Sequence, residues 1–508
     1  MILDRSFPLL FRCSSILGSA HTMRSLFFWA SGALSAYLRI PSRSTTLQAD
    51  LEGQLSNGAE IYLPGSEGFA NATARWSDAV SARPDFEIIV RVATERDIQT
   101  TVRYANNHDK PFLAISGGHG QTTDLNAVKR GLNEDKIHIV DDGRAALVGG
   151  GVQNGAIIDA LWDAGKQTTT TGCHCVGYIA PVLGGGHGWL QGRYGLATDQ
   201  LISARGVLAN GEIVTLSETE NPDLFWGIRG AGHNFGIFTE IKVKIYDRDP
   251  EQDQWAAGGF TYTQDKLEDL FAVLNGWLTS PNRPVELTHY AVLAFNPEID
   301  PVKPIILLWV YWQGSAIPTL YSDPLYALNP LHVDSSVTDL AGVNTHLGAV
   351  YGGASCAKGS SRLLYPVNLN TWPIANLRTV MDMFTSVPAG LRNSVIMLEA
   401  YATNKVQQIP SNSTAYPDRV SQLLASPLLT YAPNSTLEST ALAIGESMRD
   451  ALLRGTNLSL NAYVNYARGD ESMEAVYGYE PWRLERLRRL KREYDPLGRF
   501  NYYAPIKG

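Results

Sequence analysis

Three glycine loops constrain this chain most: SGGHG at 116–120, LGGGHG at 183–188 and RGAGHNFG at 229–236. Each follows a predicted strand, and each carries a histidine. Glycine lets backbone N–H groups approach an anion closely, as a pyrophosphate requires. No Gly-Lys-Ser/Thr follows any loop, which argues against a P-loop. None opens a helix as G-x-G-x-x-G with an acidic residue about 20 positions on, which argues against a Rossmann site. Together they imply one extended dinucleotide site of another kind.

The middle loop lies in TTGCHCVGYIAPVLGGGHGWLQGRYG, 170–195, with two of the four cysteines and two of the ten histidines. Cys173, His174, Cys175 and His187 are metal-ligand types, but Cys-x-Cys is tight for two ligands of one tetrahedral zinc, so no metal site is expected. If Cys13 leaves with an N-terminal signal, Cys173, Cys175 and Cys356 remain, and three cysteines build no disulfide framework. In an extended loop, Cys175 would point away from Cys173.

With 508 residues the chain has room for two to four domains, at roughly 150 residues each. Its 42 basic and 50 acidic side chains, net −8, argue against a nucleic-acid partner, because phosphate binding needs a positive surface. The basic run RLERLRRLKRE at 483–493 keeps Leu484, Leu487 and Leu490 at helical spacing and reads as a solvated amphipathic helix. From Met23, a plausible alternative start, a short basic opening precedes an apolar run of about a dozen residues and then small residues, the layout of a secretory signal. A membrane anchor would need about 20 apolar residues. Sequons at Asn71, Asn412, Asn434 and Asn457 fit a glycosylated protein of the secretory route. No coiled-coil seam is visible, so a monomer is the default.

Thr94 and Asp97 form a capping-box start for a helix through about His108, with FEIIVRVA before it and PFLAI after it as strands. DKIHIV and AALVGGG read as strands, IIDALWDAG as a helix, and LISARGVLANGEIVTLS as a hairpin turning at Asn210–Gly211. From about 250 to 455, strands such as ELTHYAVLAFN, PIILLWVYWQG and SVIMLEAY alternate with helices such as KLEDLFAVLNGWL. That pattern predicts an antiparallel sheet with helices on one face. The expected class is α+β: a leader over 1–45, a first domain over 50–247, an inserted domain over 248–458 and a return to the first domain over 459–508.

In combination, SGGHG, C-x-x-V-G at 173–177, LGGGHG, YGLATDQL at 194–201, GAGHNFGIFTEI at 230–241 and the ending AYVNYARGDES to YDPLGRFNYY resemble the berberine-bridge-enzyme-like flavin oxidases. That family shares the FAD-binding fold of vanillyl-alcohol oxidase. The resemblance covers 85–246 and 460–508 and fades between, where substrate identity is decided. It implies a two-part FAD-binding domain enclosing a substrate domain. His119 matches the histidine that the family bonds to the flavin methyl, and Cys173 the cysteine that many members add as a thioether. Imidazole nitrogen and thiolate suit attack on an electrophilic flavin ring. Ser116, Gly117, Gly118, Gly120, Gly177, Gly184, Gly185, Gly186, Asp199, Gly236, Ile237 and Asn501 fall on the matched cofactor-binding motifs. Val176 matches a position beside the flavin where oxygen arrives, and valine there resembles the oxidase members.

Two positions depart from the family. Pro181 stands where a histidine is common, and His187 where an aromatic residue usually follows the third glycine. His187 would be an ionisable group beside the flavin, able to act as acid, base or orienter, or a structural histidine. The resemblance also implies an active-site tyrosine from AYVNYARGD, Tyr466 before Tyr463. Its phenol has a pKa of about 10, so holding the phenolate at neutral pH costs roughly 4 kcal/mol and needs nearby donors or positive charge. Glu399 could share the role, pointing with Met397 and Tyr401 if its strand is regular.

The expected activity is an FAD-dependent oxidase that takes hydride from an alcohol or activated carbon of a small molecule and releases peroxide. A carbohydrate oxidase, with Trp309, Trp312 and Trp372 available for stacking on sugars, and a flavoprotein templating a non-redox cyclisation are the alternatives.

Overall fold

The computed structural model describes residues 43–79, 85–115, 118–119 and 136–507. Ser116, Gly117 and Gly120 lie outside these residues, as do positions 1–42 of the leader. The chain is α+β, built on one five-stranded and one eight-stranded antiparallel sheet.

The helix Glu95–Asn107 begins at the capping box, with Asp97 N–H donating to Thr94 Oγ1 at 3.3 Å and Thr94 N–H donating to Asp97 Oδ2 at 2.8 Å. Asp97 also accepts Ser56 N–H and O–H, both at 2.7 Å, so this cap pins the preceding segment as well. PFLAI departs from expectation. Residues 111–115 pair with no strand among the described residues, and Phe112 and Ile115 line a cavity instead.

The five-stranded sheet runs in the order Ile137–Val140, Ala145–Gly149, Gly236–Lys244, Leu201–Leu208, Ile213–Ser217. Its last two strands are the predicted hairpin, and Gly211 turns it at φ 78°, a left-handed value that glycine adopts without a Cβ clash. The predicted IIDALWDAG helix spans Asn154–Asp163. The C-terminal helix Pro481–Tyr494 buries Leu484, Leu487 and Leu490 in the same core as Phe225 and Trp226. It is less solvated than its charge implied. Arg483 is fully buried, donating to Thr414 O at 2.9 Å, and Lys491 donates to Asp495 at 2.7 Å and to Asn234 O at 3.0 Å. These bonds fasten the chain's end to the third glycine loop.

The eight-stranded sheet places Leu287–Ala294 between Ile305–Gln313 and Val395–Ala400, with Trp255–Tyr262 beyond the former and Leu423–Tyr431 beyond the latter. Directly paired residues share a face. Glu399 pairs with Tyr290, Tyr290 with Trp309, and Trp309 with Gly259, so these four stand on one side. The opposite side carries Ala291, Leu308, Val310, Ile396 and Leu398, packed against Leu270, Leu274 and Phe384 of the helices Leu267–Leu278 and Ile374–Thr385. Helices cover one face, and the other is left to form a site.

Candidate active site

The Cys173–Gly177 segment is a turn, closed by Val176 N–H donating to Cys173 O at 3.4 Å. A turn does not alternate its side chains as an extended strand does, so Cys175 does not point away from Cys173. Their sulfurs are 3.5 Å apart. Cys175 is disulfide-bonded to Cys356, which corrects the expectation that the remaining cysteines form no bridge. That bond excludes Cys175 as a flavin anchor and leaves Cys173 as the free thiol. Burial raises the Cys173 pKa, while the N–H groups of Cys175 and Val176 act to lower it. The three sulfurs cluster as metal ligands could, but two of them are spent on each other. Half-buried Val176 ends the turn, its carbonyl accepting Asn154 N–H and Nδ2, both at 2.9 Å.

His119 stacks on Trp76 with ring centroids 5.5 Å apart. Burial, with Lys358 and Arg362 nearby, lowers its pKa to about 4, so at neutral pH the imidazole keeps the lone pair a covalent bond needs. Gly118 O accepts Trp76 N–H at 3.0 Å, and Trp76 Nε1 donates to Ser355 O at 2.9 Å. The loop bearing Cys356 therefore touches the His119 side at Ser355 and the Cys173 side at its disulfide.

A cavity of about 190 Å³ is lined by Phe112, Ile115, Gly150, Ile179, Gly236, Ile237, Phe500 and Tyr503 among others. Gly236 and Ile237 were expected there; Asn501 was too. Asn501 is instead exposed and folded against Gly498, while its neighbours Phe500 and Tyr502 line the cavity. A neutral imidazole at His119 and a free thiol at Cys173 are the residue types that two covalent flavin anchors need, and the cavity offers an apolar lining.

On the free face of the large sheet, Glu399 is 1% exposed, not a surface residue. Tyr401 O–H donates to its Oε2 at 2.8 Å, and Tyr466 is a second hydroxyl donor to the carboxylate. Its Oε1 has no hydrogen-bond partner among the described residues. Burial raises the Glu399 pKa to about 7, against the lowering effect of the two tyrosines. The same burial, with Glu399 beside it, drives Tyr466 well above its ordinary value. A negative neighbour opposes phenolate formation at Tyr466, so of the two groups the carboxylate is the more readily ionised near neutral pH.

Tyr463 gathers donors at its oxygen, which accepts Gly186 N–H at 3.0 Å, His187 N–H at 3.2 Å and Asn465 Nδ2 at 2.7 Å, contacts that favour its phenolate. Burial outweighs these donors and raises its pKa to about 12. His187 is likewise occupied. Its Nδ1–H donates to Gln191 Oε1 at 3.0 Å, its Nε2 accepts Tyr416 O–H at 3.1 Å, and burial lowers its pKa. Both ring nitrogens being used, it is an orienter of the loop and of Tyr416.

Asp199 binds protein, not cofactor. Its carboxylate takes Arg419 at 2.7 and 2.8 Å and caps Leu196 N–H at 2.8 Å, with both charged groups buried. Gly184, Gly185 and Gly186 are small because protein crowds them: an added Cβ would meet Asn465 at 2.1 Å, Tyr416 at 2.6 Å and Ala197 at 2.5 Å. Buried Gly177 bridges Gln153. Trp372 lies in the core and Trp312 stacks on Tyr321 on the helix side, so of the three tryptophans only Trp309 faces the site. Sequence reasoning passed over Tyr290 and Tyr416 and left Cys356 unpaired; the places of all three rest on long-range pairing. Asn465 lay inside AYVNYARGD and was legible there.

A family model described as FAD binding domain matches residues 86–217, and one described as berberine and berberine like matches 462–507. The chain is 39% identical over 465 residues to the FAD-linked oxidoreductase anuG of Penicillium roqueforti, covering 89% of this chain and 90% of that one. Its fold is similar to that of Physcomitrella patens BBE-like 1, with a TM-score of 0.77 at 20% identity, covering 91% of this chain and 99% of that one. The glucooligosaccharide oxidase of Acremonium strictum, whose structure is described as carrying a 6-S-cysteinyl, 8α-N1-histidyl FAD, is similar at a TM-score of 0.75 and 20% identity, over 91% of this chain and 99% of that one.

Proposed function

The chain belongs to the berberine-bridge-type FAD-linked oxidoreductases, and we propose that within them it is an oxidase with a doubly tethered FAD. It removes hydride from a small molecule, at an alcohol carbon or one activated by nitrogen or an aromatic ring. His119 and Cys173 hold the flavin, in agreement with the two linkages of the Acremonium enzyme. When bound, the flavin supplies the hydride acceptor and the route by which oxygen becomes peroxide.

Glu399 carries the reading: a buried carboxylate with its pKa raised to about 7 and one oxygen without a hydrogen-bond partner among the described residues. Tyr466 lies beside it as a proton relay. A substrate hydroxyl gives its proton to Tyr466 as Tyr466 gives its own to Glu399, and Tyr401 keeps the carboxylate in line. A base placed this way contributes roughly 10² to 10⁴ in rate. Tyr290 and Trp309, in register with Glu399, form the aromatic wall on which a planar or ring substrate rests.

Carbohydrate oxidation is the second reading, favoured by Trp309 on the site face. Anaerobic mixing with aromatic and alkaloid-like alcohols and amines, and separately with oligosaccharides, decides between them. The true substrate bleaches the flavin, and peroxide follows on admitting air. Product formed without bleaching would overturn the oxidase in favour of a templated cyclisation. We propose secretory routing on the same terms: Asn71, Asn412, Asn434 and Asn457 are all exposed, and an endoglycosidase should lower the mass of the native protein.

A further inference from the structure

The Cys173 thiol sits beside a disulfide it has no part in. Its sulfur is 3.5 Å from that of Cys175 and 4.0 Å from that of Cys356. The Cys175–Cys356 bond joins the Cys173–Gly177 turn to the loop around Ala349–Lys358, across 181 residues of sequence. That loop is also held where His174 N–H donates to Ala349 O at 2.9 Å and Trp76 Nε1 to Ser355 O at 2.9 Å, so its cysteine stays close whichever sulfur it bonds.

We infer that Cys173, Cys175 and Cys356 form a thiol–disulfide exchange site in which Cys173 carries either the flavin or a disulfide partner. In the exchange, Cys173 loses its proton, its sulfur swings from beside the bridge into line with it, and it attacks Cys356 Sγ. The Cys173–Cys356 bond forms as the Cys175–Cys356 bond breaks, and Cys175 leaves as a thiolate that takes up a proton. No net oxidation occurs. Only the thiolate attacks, and burial disfavours it in Cys173, so exchange is slow at neutral pH and quickens with alkali. A thioether on Cys173 removes the attacking thiol and fixes the bridge at Cys175–Cys356. The exchange rests on the sulfurs alone; its coupling to the cofactor rests on Cys173 as flavin anchor.

The test is Cys175→Ser, which removes the native partner of Cys356. The variant is produced in riboflavin-starved cells so that no thioether has formed, treated with glutathione disulfide, which takes two electrons and becomes two glutathione thiols as the new protein bond closes, and only then given FAD. Non-reduced peptide masses are then read. Most Cys356 should be recovered bonded to Cys173, with flavin-bearing Cys173 peptide down at least tenfold. The double variant Cys175→Ser/Cys356→Ser should restore that peptide to near the wild-type level. Cys356 recovered unpaired, with the Cys173 flavin peptide at the wild-type level, would overturn the proposal. Should Cys175→Ser not fold, wild-type chains lacking the thioether, held at alkaline pH, should show Cys173 in a disulfide. Finding only Cys175–Cys356 there overturns it equally. If no wild-type Cys173 peptide carries flavin yet the Cys173–Cys356 bond forms, the anchor reading fails and the exchange site stands.

Discussion

The phenolic oxygen of Tyr463 accepts the backbone N–H of Gly186 at 3.0 Å, and through that bond the C-terminal return segment grips the central glycine loop. His187 N–H and Asn465 Nδ2 converge on the same oxygen. Removing it strands the N–H groups of Gly186 and His187, while Asn465 Nδ2 keeps Pro181 O at 3.1 Å, and an unsatisfied donor costs roughly 1–3 kcal/mol. Tyr463→Phe should therefore lower stability by about 2–4 kcal/mol and lower flavin content, while its folded fraction keeps the wild-type pH dependence of kcat/KM. Tyr466→Phe should do the reverse, with a near-normal melting temperature and a rate loss of roughly 10² or more.

Glu399 must be ionised to accept a proton, so kcat/KM should rise with pH through about 7 and level off above it. Glu399→Gln should lose roughly 10² to 10⁴ in rate and show no such rise. Stability has the opposite sign. With the folded pKa raised from 4.5 to about 7, the contribution of this group is fully present below 4.5 and is lost as pH rises through 7. Above pH 8, Glu399→Gln should thus melt higher than wild type, by up to about 3 kcal/mol, with the difference vanishing near pH 4. Calorimetry at both values checks it.

Arg419 and Asp199 pair at 2.7 Å with side chains only 3% and 5% exposed. Arg419→Met leaves a buried carboxylate unpaired and should cost about 3–5 kcal/mol in denaturant unfolding. An unchanged midpoint would mean that solvent reaches Asp199.

Colour tests the anchors. Acid precipitation of the wild-type protein should leave the flavin on the polypeptide through His119 and Cys173, and Cys173→Ser should keep it there through His119 alone. Yellow supernatant from the wild type would exclude both bonds.

Gly185 has φ 113°, and a Cβ there would lie 2.6 Å from the Tyr416 ring. Tyr416 also holds His187 Nε2. Gly185→Ala should consequently destabilise the protein by more than 1 kcal/mol, backbone strain of this kind costing about 1–3 kcal/mol, and displace both side chains. A melting temperature equal to wild type would show that the loop yields.

Much of this architecture was legible because its signals are local. The Thr94–Asp97 box, the Asn210–Gly211 hairpin and the leucines of Pro481–Tyr494 each lie within one helical turn or one strand pair. Glu399 and Tyr401 were placed on one face by simple alternation, and they are hydrogen-bonded. PFLAI misled because its apolar residues face a cavity rather than a neighbouring strand, and a short apolar run looks the same in either case.

The sequence by itself determined the family and the antiparallel sheet under its helices, since motif spacing and periodicity are properties of neighbouring residues. Tertiary structure alone decided the chemistry of the site. Burial raises the Glu399 pKa to about 7, burial raises that of Tyr463 to about 12 against three donors from two segments, and Cys356 takes up Cys175 from 181 positions away. Desolvation and long-range pairing depend on which segments meet in space, and spacing along the chain carries no record of that.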